Sequence, residues 1–183
     1  MTPKDTPQEL TLRRGVIADL AEIMAIERAS FPTPWSQESM ERELSSQNGS
    51  VYYVVEVEGR VAGYAGAWMY SGEAHVLTIA VREDQRGEGF GELLMLAVLE
   101  HAWRRGCDRC VLEYRVSNTR AEALYRKLGF EAVAIRPGYY TDTDEDAVCA
   151  LISDLDSPAR QEKLAELRRQ WETRHAWTAR SED

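Results

Sequence analysis

The sequence of 183 residues lacks a long apolar segment, an excess of basic side chains and the cysteines of a disulfide framework. The longest apolar run, residues 93–99, is far shorter than the roughly 20 residues that span a bilayer, so no membrane partner is predicted. Residues 1–10 contain no apolar segment typical of a secretory signal. We therefore expect a cytoplasmic protein.

The charge balance is acidic, with 22 Lys and Arg against 31 Asp and Glu and a net charge of −9. Neutralisation of phosphates dominates nucleic-acid affinity, so nucleic acid is excluded as the principal direct partner. A basic protein or peptide suits this charge better. The alternative is that the charge serves solubility alone.

Three cysteines are too few for a disulfide scaffold, although Cys107 and Cys110 form a CxxC pair. Zinc or redox chemistry would need a second ligand pair or a helix N-terminus. This pair falls where a predicted helix ends and a strand begins, so we predict a packing role. No metal is predicted, because the histidines share no ligand spacing: His75, His101 and His175.

Hydrophobic periodicity predicts a single mixed α/β domain in the order β-αα-βββ-α-β-α-ββ, followed by an extra C-terminal helix. The predicted strands cover residues 9–13, 51–57, 60–69, 74–81, 110–115, 130–135 and 147–152. The predicted helices cover residues 19–31, 36–46, 91–105, 118–128 and 157–175. Ser36 and Asn118 are predicted N-caps, and Gly129 is a predicted helix stop.

The predicted helix 91–105 has one broad apolar face that includes Trp103, with His101 among the polar residues opposite. The last helix is polar in composition, which indicates a surface appendage. Its apolar residues allow two arrangements, dimerisation or folding back over the domain: Leu164, Leu167 and Trp171.

A glycine-rich segment, residues 85–91, lies between a predicted strand and a predicted helix, where backbone N–H groups can bind an anion. A triphosphate-binding P-loop is excluded because Glu92 and Leu93 follow Gly91 in place of Lys and Ser or Thr. A dinucleotide-binding loop is excluded because Glu92 stands where a third glycine is needed and a β-meander precedes the segment.

The pattern Arg86-x-x-Gly89-x-Gly91 resembles motif A of the GNAT superfamily of acyl-coenzyme A-dependent N-acyltransferases. The resemblance implies the GNAT fold, in which the fourth strand splays from the fifth and the gap admits the pantetheine arm of acetyl-coenzyme A. The strand backbone that would pair with the cofactor is Ile79, Ala80 and Val81. The residues that would hold its pyrophosphate are Arg86, Gly87, Glu88, Gly89, Phe90, Gly91 and Glu92.

Later motifs resemble one branch of that superfamily, the RimI-type ribosomal-protein-alanine N-acetyltransferases. They are Leu112-Glu113-Tyr114-Arg115, Ser117-Asn118, Ala123-Leu124-Tyr125, Leu128-Gly129-Phe130, Arg136, Tyr139-Tyr140 and Glu145-Asp146-Ala147. The resemblance covers roughly residues 12–151. It implies an acetyltransferase domain over residues 1–154, a helical extension over residues 155–183, and acetylation of a protein N-terminal α-amine.

The resemblance also implies roles for individual residues. Glu113, a carboxylate in an apolar strand beside the expected gap, would accept the proton of the amine. The alternative is a surface glutamate paired with Arg115, two residues along the same face. Tyr125 would protonate the departing thiolate, or else be an aromatic residue that packs in the core with its hydroxyl bonded nearby. Asn118 would contact coenzyme A as well as cap its helix.

The acceptor side is predicted to include Trp35, in a segment that resembles the branch's substrate loop, with Tyr139 and Tyr140. Exposed tyrosines at a hairpin are a simpler reading of the last two. The acceptor could instead be a lysine side chain or a polyamine, and the chain could be a non-catalytic acyl-coenzyme A sensor. A monomer and a homodimer both remain open.

Overall fold

The computed structural model describes residues 9–45 and 49–175. Its strands are β1 (Leu10–Arg14), β2 (Ser50–Val57), β3 (Arg60–Tyr70), β4 (Glu73–Val81), β5 (Arg109–Arg115), β6 (Glu131–Tyr140) and β7 (Glu145–Ile152). Its helices are α1 (Leu20–Ser30), α2 (Gln37–Ser45), α3 (Phe90–Arg104), α4 (Thr119–Leu128) and α5 (Pro158–His175). Short 3-10 turns at Ile17–Asp19 and Glu83–Gln85 precede α1 and α3. The predicted class and element order are confirmed.

The strands form one seven-stranded sheet in the order β1-β2-β3-β4-β5-β7-β6. Among the neighbouring strands of the described residues, the central pair β4 and β5 is parallel and the other pairs are antiparallel. The parallel pair follows from the crossover through α3, which connects the end of β4 to the start of β5. The alternation of strand direction is therefore interrupted at the centre of the sheet, and the glycine-rich segment directly follows β4 of this central pair.

Several local signals in the sequence have their predicted effect. The Ser36 hydroxyl accepts the Ser39 N–H at 3.1 Å, and the Asn118 side chain accepts the Ala121 N–H at 3.1 Å, so both are N-caps. Gly129 ends α4 with a φ of +99°, in the left-handed region that glycine adopts without a Cβ clash. The predicted end of α2 at residues 46–48 and the segments 1–8 and 176–183 lie outside the described residues.

Strand β6 is longer than predicted. It continues past its predicted end at residue 135, through Pro137 and Gly138, to Tyr140. The pairing with β7 resumes at Tyr140 after a register shift, and the Asp146 carboxylate accepts the Gly138 N–H at 2.8 Å. A bulge thus carries β6 past Pro137 and Gly138, and residues 141–144 connect β6 to β7.

The polar face predicted for α3 is partly wrong. Trp103, expected in the core, is 41% exposed, whereas His101, expected in solvent, is half-buried with its Nδ1 3.3 Å from the Tyr53 hydroxyl. Residues 93–99 are all buried because the sheet covers one side of the helix and α5 packs against another. A helix covered on several sides has no single apolar stripe.

The expectation that the last helix is a surface appendage is wrong. Leu164, Leu167 and Trp171 of α5 are buried in the same core as α3, which is the folded-back arrangement. Cys107 and Cys110 are free thiols buried in that core, in agreement with a packing role. The division of the chain after residue 154 stays a prediction. Within residues 9–45 and 49–175, no helix is both long and apolar enough to cross a membrane.

Candidate active site

Strands β4 and β5 separate soon after they pair. Their pairing is restricted to Glu73–His75 on β4 and Arg109–Val111 on β5. Just beyond, Leu77 has no partner in β3, which makes a bulge that bends β4. The splay that the resemblance implies is therefore present between the later halves of the two strands.

Two cavities open in this gap. The first cavity, of about 530 Å³, lies between β4, β5, the α1–α2 segment and the β6–β7 turn. The second cavity, of about 640 Å³, lies between the end of β4, the glycine-rich segment and α4. They meet at a common boundary. The residues that line both are Ser30, Phe31, Ile79, Asn118 and Tyr125.

The second cavity has the chemistry of an anion site. Among the described residues, no acceptor is bonded to the backbone N–H groups of residues 87–92, as expected before and within the first turn of a helix. Gly87 and Gly89 have φ values of +96° and +78°, in the left-handed region that glycine adopts without a Cβ clash. Arg86 adds a guanidinium, whose Nε donates to the Val81 carbonyl at 3.1 Å. This arrangement fits a pyrophosphate.

The predicted pyrophosphate residues do not all contribute side chains. Glu88 is exposed and does not line the cavity, and the Phe90 ring is buried in the core. The Glu92 carboxylate is ion-paired with Lys127 at 2.6 Å and Arg174 at 3.0 Å. These three positions can therefore offer a bound phosphate only their backbone N–H groups.

The backbone of β4 along the gap alternates between two directions. The Arg82 N–H donates to the Ala62 carbonyl of β3 at 2.8 Å. Bonded and non-bonded residues alternate in an antiparallel pair, so the Ala80 N–H also points toward β3. The N–H groups of Ile79 and Val81 then point into the gap. Of the three residues predicted to pair with the cofactor, these two have the required orientation.

Glu113 lies in the first cavity with its side chain 12% exposed. Its Oε2 is 2.7 Å from His75 Nε2 and its Oε1 is 3.4 Å from the Arg136 guanidinium. The alternative pairing with Arg115 is wrong, because Arg115 pairs with Asp142 at 2.9 Å. Sequence reasoning missed His75 as a partner, since the partial pairing of β4 with β5 that brings the two side chains together has no signature in the sequence.

Tyr125 lies at the boundary of the two cavities and is 6% exposed. Its ring packs against Tyr114 and Phe130, with centroids 5.4 and 5.8 Å away. Burial raises the pKa of Tyr125, so the phenol stays protonated. No hydrogen-bond partner for this hydroxyl exists in the described part of the chain, which leaves the proton available to a bound group.

The predicted acceptor residues Trp35, Tyr139 and Tyr140 all line the first cavity. The Arg115 guanidinium lies 4.0 Å from the centroid of the Tyr140 ring, a cation–π contact that holds the ring. Across the cavity, the Thr33 hydroxyl donates to Asp142 at 2.9 Å. The α1–α2 segment and the β6–β7 turn therefore meet over this cavity.

Glu27 also lines the first cavity and was missed from the sequence. It is 1% exposed and accepts the Trp35 N–H at 2.9 Å and the Tyr64 hydroxyl. Burial raises the pKa of Glu27, against the lowering effect of its hydrogen bonds from Trp35 and Thr78. The sequence does contain a signal for Glu27, because this residue occupies the i+7 position of the i, i+3, i+4, i+7 stripe of α1, after Leu20, Ile23 and Met24.

The site as a whole joins an anion cradle, a gap beside unpaired strand N–H groups, a carboxylate and a protonated phenol. In the described ranges, 9–45 and 49–175, no group of three or more His, Cys, Asp or Glu side chains could hold a metal. These groups suit transfer of an acyl group from a thioester to an amine. Fold and site together define an acyl-coenzyme A-dependent N-acyltransferase.

The acetyltransferase (GNAT) family model matches residues 20–130, and the chain belongs to this family. The Escherichia coli (strain K12) ribosomal protein bS18-alanine N-acetyltransferase is 34% identical over 134 residues, which cover 71% of this chain and 88% of that protein. A Bacillus subtilis (strain 168) protein to which that activity is provisionally assigned is 37% identical over 137 residues, which cover 75% of this chain and 91% of that protein. The E. coli ribosomal-protein-S18-alanine N-acetyltransferase crystal structure matches with TM-score 0.73 at 29% identity, covering 79% of this chain and 93% of that one.

Proposed function

We propose that this acetyltransferase modifies a protein N-terminal α-amine, and that the N-terminal alanine of a ribosomal protein is its acceptor. The observation that carries the proposal is the junction of the two cavities at Ile79 and Tyr125, with Glu113 on one side and the anion cradle on the other. The ribosomal protein bS18-alanine N-acetyltransferase activity of the E. coli relative supports the choice of acceptor.

On the donor side, acetyl-coenzyme A supplies an acetyl group activated as a thioester. The N–H groups of residues 87–92 and the Arg86 guanidinium bind the pyrophosphate in this proposal. The N–H groups of Ile79 and Val81 pair with the pantetheine arm and donate to the thioester oxygen as its negative charge grows. Asn118 lines both cavities, which supports its predicted contact with the cofactor.

On the acceptor side, the amine must lose a proton before it can attack. Glu113 accepts that proton, directly or through water, while His75 fixes the carboxylate from one side. Tyr125 donates its hydroxyl proton toward the leaving sulfur. Direct transfer between two bound substrates follows, because the amine and the thioester meet at the same boundary.

The first cavity and the whole chain suit a cationic acceptor. Among the described residues, three carboxyl groups line the cavity, those of Glu27, Glu113 and Asp142, while Arg115 pairs with Asp142 and Arg136 with Glu113. The net charge of −9 attracts a basic N-terminal segment. The same proposal places the protein in the cytoplasm as a monomer or homodimer.

A panel of three acceptors tests this proposal with acetyl-coenzyme A and mass spectrometry. The first is a basic peptide that begins Ala-Arg, the second is the same peptide with a blocked N-terminus and an internal lysine, and the third is spermidine. We expect acetylation of the free α-amine only. Efficient acetylation of the blocked peptide or of spermidine would replace the α-amine with a lysine or polyamine acceptor, and coenzyme A binding without turnover would support a sensor.

A further inference from the structure

Helix α5 ends directly behind the glycine-rich segment. Trp171, which is 0% exposed, donates its indole Nε1–H to the Gly89 carbonyl at 2.9 Å. Gly89 is the N-cap residue of α3, and its carbonyl also accepts the Leu93 N–H at 3.2 Å. The tryptophan therefore binds the residue at which the segment turns into the helix.

Two further contacts reinforce this end of α5. His175 stacks on Trp171 with ring centroids 4.0 Å apart, and its Nδ1 lies 2.7 Å from the Trp171 carbonyl oxygen. Arg174 donates to Glu92 at 3.0 Å, on a carboxylate that Lys127 also contacts. A buried carboxylate beside an anion site opposes phosphate binding unless it is neutralised. Arg174 supplies part of that neutralisation.

The packing leaves little freedom for the segment. A Cβ atom placed on Gly89 would lie 2.8 Å from Trp171 Nε1 and 3.3 Å from a His175 ring carbon. No Cβ fits at Gly89 without a shift of these rings, and the φ of +78° there also favours glycine. The family match ends at residue 130, so α5 is not part of the segment that the family model describes.

We infer that α5 is a positioning element for the cofactor, with Trp171 as its central residue. It fixes the N–H groups of residues 87–92 in the orientation that binds pyrophosphate and holds the Glu92 carboxylate against its cations. Ordering the segment before the ligand arrives lowers the entropy lost on binding. This inference rests on the proposed use of the second cavity by coenzyme A.

Two acyl donors separate this role from simple stabilisation. Acetyl-coenzyme A needs the pyrophosphate cradle, whereas S-acetylpantetheine has the same thioester and arm without a pyrophosphate. Trp171→Phe removes the indole N–H and keeps an aromatic ring in the core. We expect it to lower kcat/KM for acetyl-coenzyme A about 5-fold, mainly through KM, and to leave the value for S-acetylpantetheine within about 2-fold of wild type.

Arg174→Met tests the second contact at an exposed position without touching the core, and the same donor selectivity is expected. Arg169→Gln is the matched control, because in the described part of the chain the ion pairs of Arg169 are with Glu162 and Glu166, both on α5 itself. It should change neither donor. Equal losses with both donors, or no loss for Trp171→Phe and Arg174→Met, would overturn the inference.

A binding measurement distinguishes this inference from the proposed function. Calorimetry gives the dissociation constant of coenzyme A for the wild type and Trp171→Phe with no acceptor present. A rise of about 5-fold in the variant supports the role of α5 even if no peptide is acetylated. Equal dissociation constants overturn it while leaving acetyl transfer intact, and a wild type that does not bind coenzyme A overturns both.

Discussion

Replacement of Tyr125 by phenylalanine should separate catalysis from stability. The Tyr125 hydroxyl lies at the junction of the cavities and has no hydrogen-bond partner in the described residues, so its loss breaks no hydrogen bond within that part of the chain. Removing a buried hydroxyl without a partner is neutral or slightly stabilising. A hydrogen bond to a charged group contributes about 1.5–3 kcal/mol, which corresponds to a loss of about 10- to 150-fold in kcat.

The assay combines steady-state kinetics with thermal unfolding. Tyr125→Phe should lower kcat by that factor with KM for acetyl-coenzyme A and Tm unchanged. Tyr53→Phe is the matched control, because its hydroxyl contacts His101 at 3.3 Å and lines neither cavity. It should keep kcat and lose about 1 kcal/mol of stability. Wild-type kcat in Tyr125→Phe, or a loss of kcat matched by a fall in Tm, would refute the assignment.

Three further predictions address neighbouring groups. His75→Asn should lower kcat about 10-fold with unchanged KM for acetyl-coenzyme A in steady-state assays, because the Glu113 carboxylate loses the partner at 2.7 Å that orients it. Glu27→Gln should raise KM for the peptide alone, since Glu27 accepts the Trp35 N–H of the α1–α2 segment. Burial and nearby arginines lower the pKa of His101 to about 4 from 6.5, so the unfolded chain binds a proton that the folded chain does not. The folded state therefore loses stability as pH falls from about 6.5 to about 4. Over that window, the Tm of the wild type should fall relative to the Tm of His101→Gln, which has no titrating group at this position. A difference in Tm that stays constant with pH would contradict this prediction.

Much of the fold was predictable because its signals are local. The caps Ser36 and Asn118, the stop at Gly129 and the alternation of the strands depend on residues close in sequence. The glycine-rich segment was located for the same reason. To identify the ligand of this segment, other kinds of phosphate-binding loop had to be excluded and the resemblance to a known family was required.

The features that were missed depend on contacts between distant segments. Nothing near His75 in the sequence indicates that it meets Glu113, 38 positions away. The polar composition of α5 indicated a surface appendage, and the sequence alone did not decide whether its three apolar side chains pack on the domain or on a second copy, because a helix that covers one side of a core needs only a narrow stripe. Glu27 was also missed, but its signal is local, since a glutamate in the apolar stripe of a helix can be recognised in the sequence.

The most direct test of the central claim is the acetylation of an Ala-Arg peptide by the wild type and Glu113→Gln, measured as kcat together with the dissociation constant of acetyl-coenzyme A. The wild type should acetylate the α-amine. The variant should bind acetyl-coenzyme A as tightly but lose at least about 100-fold in kcat, because the amide cannot accept the proton of the amine. Wild-type kcat in Glu113→Gln would contradict the assignment of Glu113 as the base and the mechanism built on it.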